Sequence, residues 1–305
     1  MELWGELIGC FLYSYLAIGS GVAQLNARVM EQPILTSGPI QVGFAIVFGI
    51  VSCTSTANSV SPAHCNPSVT IAHVLFRGFS PYKAPFYVAI QILGGYLACM
   101  AVYYQNFHLF KQIEEVLREQ RVLDQIQYTV AGPSGVFAFY RLPGQSHWQA
   151  WLNEFITSMA AYTVLWATTD PSNPLVPPRL GVWVGAFAFG VAIWSFGTIM
   201  NTSRDLGGRF WAMTIWGTRA SAGGYAAITS LTNIEAAIVA VFLYEVFMID
   251  SRRVVNLDSL EHSRLLKNRL NYTPDKRKKR DDAEKTVDHS NEQTSSGASS
   301  GTTLP

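Results

Sequence analysis

Two stretches decide the fold: Ser61-Pro62-Ala63-His64-Cys65-Asn66-Pro67-Ser68-Val69-Thr70 and Met200-Asn201-Thr202-Ser203-Arg204-Asp205-Leu206-Gly207-Gly208-Arg209. In each, an asparagine stands where a helix N-cap belongs. In the first, Pro67 takes the first helical position, where its missing N–H costs nothing. The apolar pieces that follow, Asn66 to Phe76 and Asn201 to Trp211, are too short to cross a bilayer, which needs about 20 residues of helix. Bounded by polar residues, they read as re-entrant half-helices. Such helices point unpaired backbone N–H groups and a partial positive charge toward the membrane centre. Two of these ends facing each other repel cations, protons included, and the asparagine amides offer donors to a passing neutral solute.

Around these stretches lie six segments long enough to span, near 4–25, 39–58, 83–106, 149–169, 178–198 and 224–249. A soluble core is excluded, because six such segments leave too little polar surface to cover them. The chain of 305 residues is 49% hydrophobic and 14% charged, and residues 250–305 alone hold 11 of the 22 Lys and Arg, so the first part is more apolar than the average. A net charge of +1 argues against nucleic acid as a partner. The first run, Leu3 to Ala23, lacks a basic leader and contains Glu6, which makes it a retained span rather than a signal peptide. Cys10, Cys53, Cys65 and Cys99 match no metal spacing and are expected as buried free thiols, not a disulfide scaffold. The spans offer no nucleophile–base pair and no metal cluster, so neither an enzyme nor a cofactor is expected. Glu6 and Glu154 are too few titratable groups for an ion-coupled transporter.

The chain also repeats. Gly5-Glu6-Leu7-Ile8 in the first span is echoed by Asn153-Glu154-Phe155-Ile156 in the fourth, and each Glu is followed by a second span and a capping Asn. Three spans per half set the halves in opposite orientations, an inverted repeat. With both termini cytoplasmic, the inner side collects 14 basic residues and the outer side 8, the sign expected of inner loops. Glu6 and Glu154 are expected to accept hydrogen bonds from loop backbone, as a carboxylate at membrane depth requires. His64 is expected to bond loop backbone as well. Arg204, one turn past Asn201, is expected to line an aqueous path. Loop 107–148 reads as a solvated connector with a short amphipathic helix over 110–126. Residues 1–250 form the channel domain, and 251–305 a disordered cytoplasmic tail with Lys276-Arg277-Lys278-Lys279-Arg280 able to meet anionic lipid. Gly94-Gly95 and Gly181-x-x-x-Gly185 suit close helix contacts.

Over roughly residues 4–250 the chain resembles the major intrinsic proteins, the aquaporins and aquaglyceroporins. The likeness is carried by Glu6, Gly-Val-Ala-Gln at 21–24, Ala-His-x-Asn-Pro at 63–67, Glu154, Asn-x-x-Arg-Asp at 201–205 and Tyr244-Glu245-Val246-Phe247. Asp205 after the arginine is similar to the glycerol-conducting branch, and Gly-Val-Phe-Ala at 135–138 to its fungal members. The resemblance implies an all-α, aquaporin-like membrane fold and a homotetramer in the plasma membrane or an internal membrane. It implies passive conduction of glycerol, other small neutral solutes and water. It implies half-helix caps Asn66 and Asn201, loop support from Glu6, Glu154, His64 and Asp205, and a four-residue filter. Ungapped counting gives Ile46, Phe189, Thr198 and Arg204 for that filter; a shift of one or two positions gives Phe44 or Gly190. Phe189 makes it tight and Gly190 wide, and both stay open. The family's Asn-Pro-Ala signature reads Asn66-Pro67-Ser68 and Asn201-Thr202-Ser203 here, and Gly208 replaces the usual Pro. Losing Pro at 202 leaves one more N–H to satisfy. The eroded second motif motivates the alternative, a weakly conducting or non-conducting relative with a regulatory role.

Overall fold

The computed structural model describes residues 1–31, 38–249 and 254–270, and among these every regular element is helical. Six long helices form the spans: α1 (Glu2–Val29), α2 (Pro39–Ala57), α4 (Ala84–Gln105), α8 (His147–Thr168), α9 (Pro178–Phe196) and α11 (Tyr225–Phe247). Between them run the half-helices α3 (Pro67–Phe76) and α10 (Thr202–Trp216), and three connector helices, α5 (Phe107–Glu119), α6 (Leu123–Ile126) and α7 (Pro133–Phe137). By length and apolarity α1, α2, α4, α9 and the run Thr218–Phe247 that contains α11 can each cross a membrane. The remaining long helix, α8, has 22 residues but carries Gln149, Asn153 and Glu154 near its start. Its place as the sixth span follows from its packing between α9 and α11.

The two halves pack by one rule. In the first, α1 lies against α2 and α4; in the second, α8 lies against α9 and α11. Each half-helix then crosses to the other half, α10 packing on α4 and α3 on α11, while α2 meets its counterpart α9. Small residues permit these approaches. A side chain at Gly94 would run into the Leu7 carbonyl of α1, and one at Gly95 into the Ser203 carbonyl of α10. Gly181 and Gly185 face Thr168 and Leu165 of α8 in the same way.

Three expectations need correction. The first concerns loop 107–148, which is not a solvated connector. On α5, Phe110, Ile113 and Leu117 recur at helical spacing and are fully buried against Val102, Phe137 and Trp211 of one core. The helix runs over 107–119, and Glu114 accepts a hydrogen bond from the Trp216 indole at 2.8 Å. The second concerns Cys53 and Cys65, which form a disulfide across 12 residues, where the last turns of α2 meet the loop before α3; Cys10 and Cys99 are free and buried. The third concerns the tail. From Val255 onward the chain is a separate unit, and its described part contains one helix, α12 (Leu257–Leu270), where no order was expected. The Lys276–Arg280 cluster lies outside the described residues.

Candidate pore between the two half-helices

The half-helix starts are built twice from the same parts. Cys65 and Met200, each just before an asparagine, have positive φ, 48° and 52°, which turns the chain abruptly into the helix. Asn66 and Asn201 follow in extended conformation. The Oδ1 of Asn66 accepts from the Ser68 backbone N–H at 3.0 Å, and that of Asn201 from Ser203 at 3.0 Å and Arg204 at 3.4 Å. The amide nitrogens reach across: Asn66 Nδ2 donates to the Met200 carbonyl at 2.8 Å, and Asn201 Nδ2 to the Cys65 carbonyl at 3.1 Å. The two caps are therefore tied to each other's loops, with their helix N-termini opposed.

A buried carboxylate holds each loop. Glu6 of α1 accepts from the backbone of His64 at 3.0 Å and Cys65 at 2.7 Å, and from Ser61 Oγ and Gln91 Nε2. Glu154 of α8 accepts from Ile199 at 3.0 Å and Met200 at 2.8 Å. A carboxylate away from water is stable only with such donors. The ring of His64 behaves otherwise than expected. Its backbone N–H is bonded, but neither ring nitrogen has a partner among the described residues, and the ring lies in tilted or edge-on contact with His73, Phe79 and Tyr87. His73 is the one whose Nδ1 pairs with backbone, the Val69 carbonyl at 2.9 Å.

Arg204 projects from the first turn of α10. Its Nη1 donates to the Phe137 carbonyl at 2.9 Å and its Nη2 to the Val136 carbonyl at 3.0 Å, with the guanidinium over the Phe139 ring. Connector α7 thus supplies both acceptors, and the buried face of α5 holds it in place. Asp205, fully buried, accepts from Arg209, from Thr229 Oγ1 and from the Phe139 backbone at 3.1 Å. Arg209 completes this pair at 2.7 Å and also donates to the Phe139 and Ser221 carbonyls, so charge and hydrogen bonds are matched on both partners.

Of the other residues expected at the filter, Thr198 is buried and its hydroxyl has no partner among the described residues. Ile46 and Phe189 lie in one buried cluster with Tyr13, Tyr162 and Met200. Gly190 instead faces Gly43 and Val47 at the α2–α9 crossing, and Phe44 sits on the exposed flank with Phe187 and Trp194. Four contributors escaped the sequence reading. The carbonyls of Val136 and Phe137 carry no side-chain signal at all. Tyr162 Oη donates to the Met200 carbonyl at 2.7 Å and accepts from Asn66 Nδ2 at 2.9 Å. Asn233 of α11 accepts from Thr202 Oγ1 at 2.8 Å and also from Ser68 Oγ, joining two of the three positions that depart from Asn-Pro-Ala. An asparagine in the middle of an apolar span was the available signal for it.

Opposed helix ends, with an asparagine amide reaching across from each, suit a path for neutral solutes, which is the work of a membrane channel. The comparisons agree. The family model described as major intrinsic protein matches residues 1–244. An aquaporin of Laccaria bicolor is 40% identical over 86% of this chain and 80% of its own length. A glycerol uptake facilitator protein of Pseudomonas aeruginosa is 30% identical over 73% of this chain and 80% of its own length. The X-ray structure of the aquaglyceroporin from Plasmodium falciparum superposes with a TM-score of 0.64 over 81% of this chain and 96% of that one; at 22% identity this is a likeness of fold. The chain belongs to the major intrinsic protein family. It is an integral, multi-pass membrane channel for small solutes, and not an enzyme.

Proposed function

We propose that the channel conducts glycerol and other small neutral solutes passively in both directions, with water. The observation that carries this reading is the Arg204 guanidinium, fixed by the Val136 and Phe137 carbonyls with Phe139 stacked beneath it. A solute passing such a group meets fixed guanidinium N–H donors beside an aromatic ring, which matches the hydroxyls and carbon backbone of a polyol. Ile46, Phe189 and Thr198 complete the filter in this reading. Asn66 and Asn201 orient the solute at the centre, and Glu6, Glu154, His64 and Asp205 support the loops. The working form is a homotetramer with both termini cytoplasmic, in the plasma membrane or an internal membrane.

Swelling of vesicles that carry the full chain, placed in a glycerol gradient, tests the proposal. Glycerol permeability above that of empty vesicles is expected, and permeability no higher than empty vesicles sinks it. Arg204→Val is expected to change the ratio of glycerol to water permeability while the protein still inserts and elutes as before. An unchanged ratio removes Arg204 from the filter.

A further inference from the structure

The two caps are alike in their loops and unlike in what faces them. An asparagine amide has two hydrogens to donate. Asn66 Nδ2 has two acceptors in range, the Met200 carbonyl at 2.8 Å and Tyr162 Oη at 2.9 Å, so both of its hydrogens are engaged inside the protein. Asn201 Nδ2 has the Cys65 carbonyl at 3.1 Å, and its other hydrogen has no partner among the described residues. The asymmetry comes from one position of the repeat. Eight residues after Glu154 stands Tyr162; eight residues after Glu6 stands Ser14, a buried side chain too short for such a reach, whose hydroxyl is unpaired among the described residues.

We propose that Tyr162 closes the path at the level of the caps, and that its hydroxyl must leave Asn66 before a solute passes. This rests on the channel reading above and deepens it. The Tyr162 hydroxyl occupies the place that a solute hydroxyl would take: it accepts from Asn66 and donates to the Met200 carbonyl at 2.7 Å. Its ring is buried, in T-shaped contact with Phe189, in a cluster that also holds Tyr13, Ile46 and Met200. Water or a polyol replaces both hydrogen bonds when the tyrosine withdraws, whereas a solute with neither donor nor acceptor replaces neither. Tyr162 is then a specificity-determining residue as well as a barrier.

The test compares vesicles holding equal amounts of the wild-type chain, Tyr162→Phe and Tyr162→Leu, with water and glycerol permeability measured on each. Tyr162→Phe keeps the ring against Phe189 and removes one neutral hydrogen-bonding group. Its flux is expected to rise about fivefold, the ratio equivalent to about 1 kcal/mol. Tyr162→Leu, which also removes bulk, is expected to rise further. If Tyr162→Leu does not fold, Tyr162→Phe decides alone. Variants that conduct no better than wild type overturn the proposal, even where their thermal midpoints fall, because a merely structural tyrosine lowers stability without raising flux. A silent wild type beside conducting variants sinks the conduction reading but upholds closure by Tyr162. Silence in all three overturns both.

Discussion

At the scale of single residues, Gly208 is among the positions where geometry is least forgiving. A Cβ there would strike the Phe137 carbonyl oxygen, the same oxygen that accepts from Arg204 at 2.9 Å. The departure from Pro at this position is therefore tied to how closely α7 lies on α10. Gly208→Ala must push the carbonyl away from the guanidinium, and overpacking of this kind costs about 1–3 kcal/mol. The expected outcome is a lower thermal midpoint together with a changed glycerol-to-water ratio; a stability loss with an unchanged ratio separates Gly208 from the filter. Legibility at this scale followed sequence distance. Asn66, Asn201 and the two glutamates were readable because cap chemistry is local and the repeat shows it twice. The partners of Arg204 were not, since backbone carbonyls some 67 residues away leave no mark on a sequence. The ring of His64, unpaired among the described residues, was unreadable for a related reason, as its surroundings come from α3, α4 and the loop at Phe79.

At the scale of elements, the half-helices show how an eroded motif is held. α10 begins at Thr202 without proline, yet its cap accepts from two backbone N–H groups, and the Thr202 hydroxyl reaches the Ser230 carbonyl at 2.9 Å and Asn233. Ser68 of α3, which stands where the signature has Ala, meets the same Asn233. One residue of α11 thus braces both half-helices, and its own Nδ2 is fixed on the Thr229 carbonyl at 2.8 Å. Asn233→Leu is expected to destabilise, because a buried hydroxyl that loses its acceptor costs about 1–3 kcal/mol. The triple change Ser68→Ala, Thr202→Pro and Asn233→Leu removes the donors together with the acceptor and is expected to restore the thermal midpoint. Proline is suited to the first helical position that Thr202 occupies. A triple variant no more stable than Asn233→Leu alone breaks the link between these three residues. The helices were legible from apolar length, whereas α5 was read as solvated although its buried face recurs at helical spacing; mixed charge along loop 107–148 concealed that face.

At the scale of the whole molecule, the inverted repeat does two things that neither half does alone. Each asparagine amide reaches the other half's loop, and each half-helix packs on the other half's last span, so neither cap is complete without both. Every group placed at the pore, from Glu6 to Asn233, falls within Met1–Val254, which forms one unit, while the chain from Val255 forms another. Stability and conduction should therefore reside in the first unit. A chain cut after Val254 is expected to insert, to melt within a few degrees of the full chain, and to keep the same glycerol permeability per protein, since changes away from a packed core usually shift stability by less than about 0.5 kcal/mol. Vesicle swelling and thermal unfolding in detergent measure both quantities. A cut chain that melts as the full one does but conducts faster assigns α12 and the residues after it a restraining role on the pore. A cut chain that no longer inserts shows that the second unit is needed for the fold of the first.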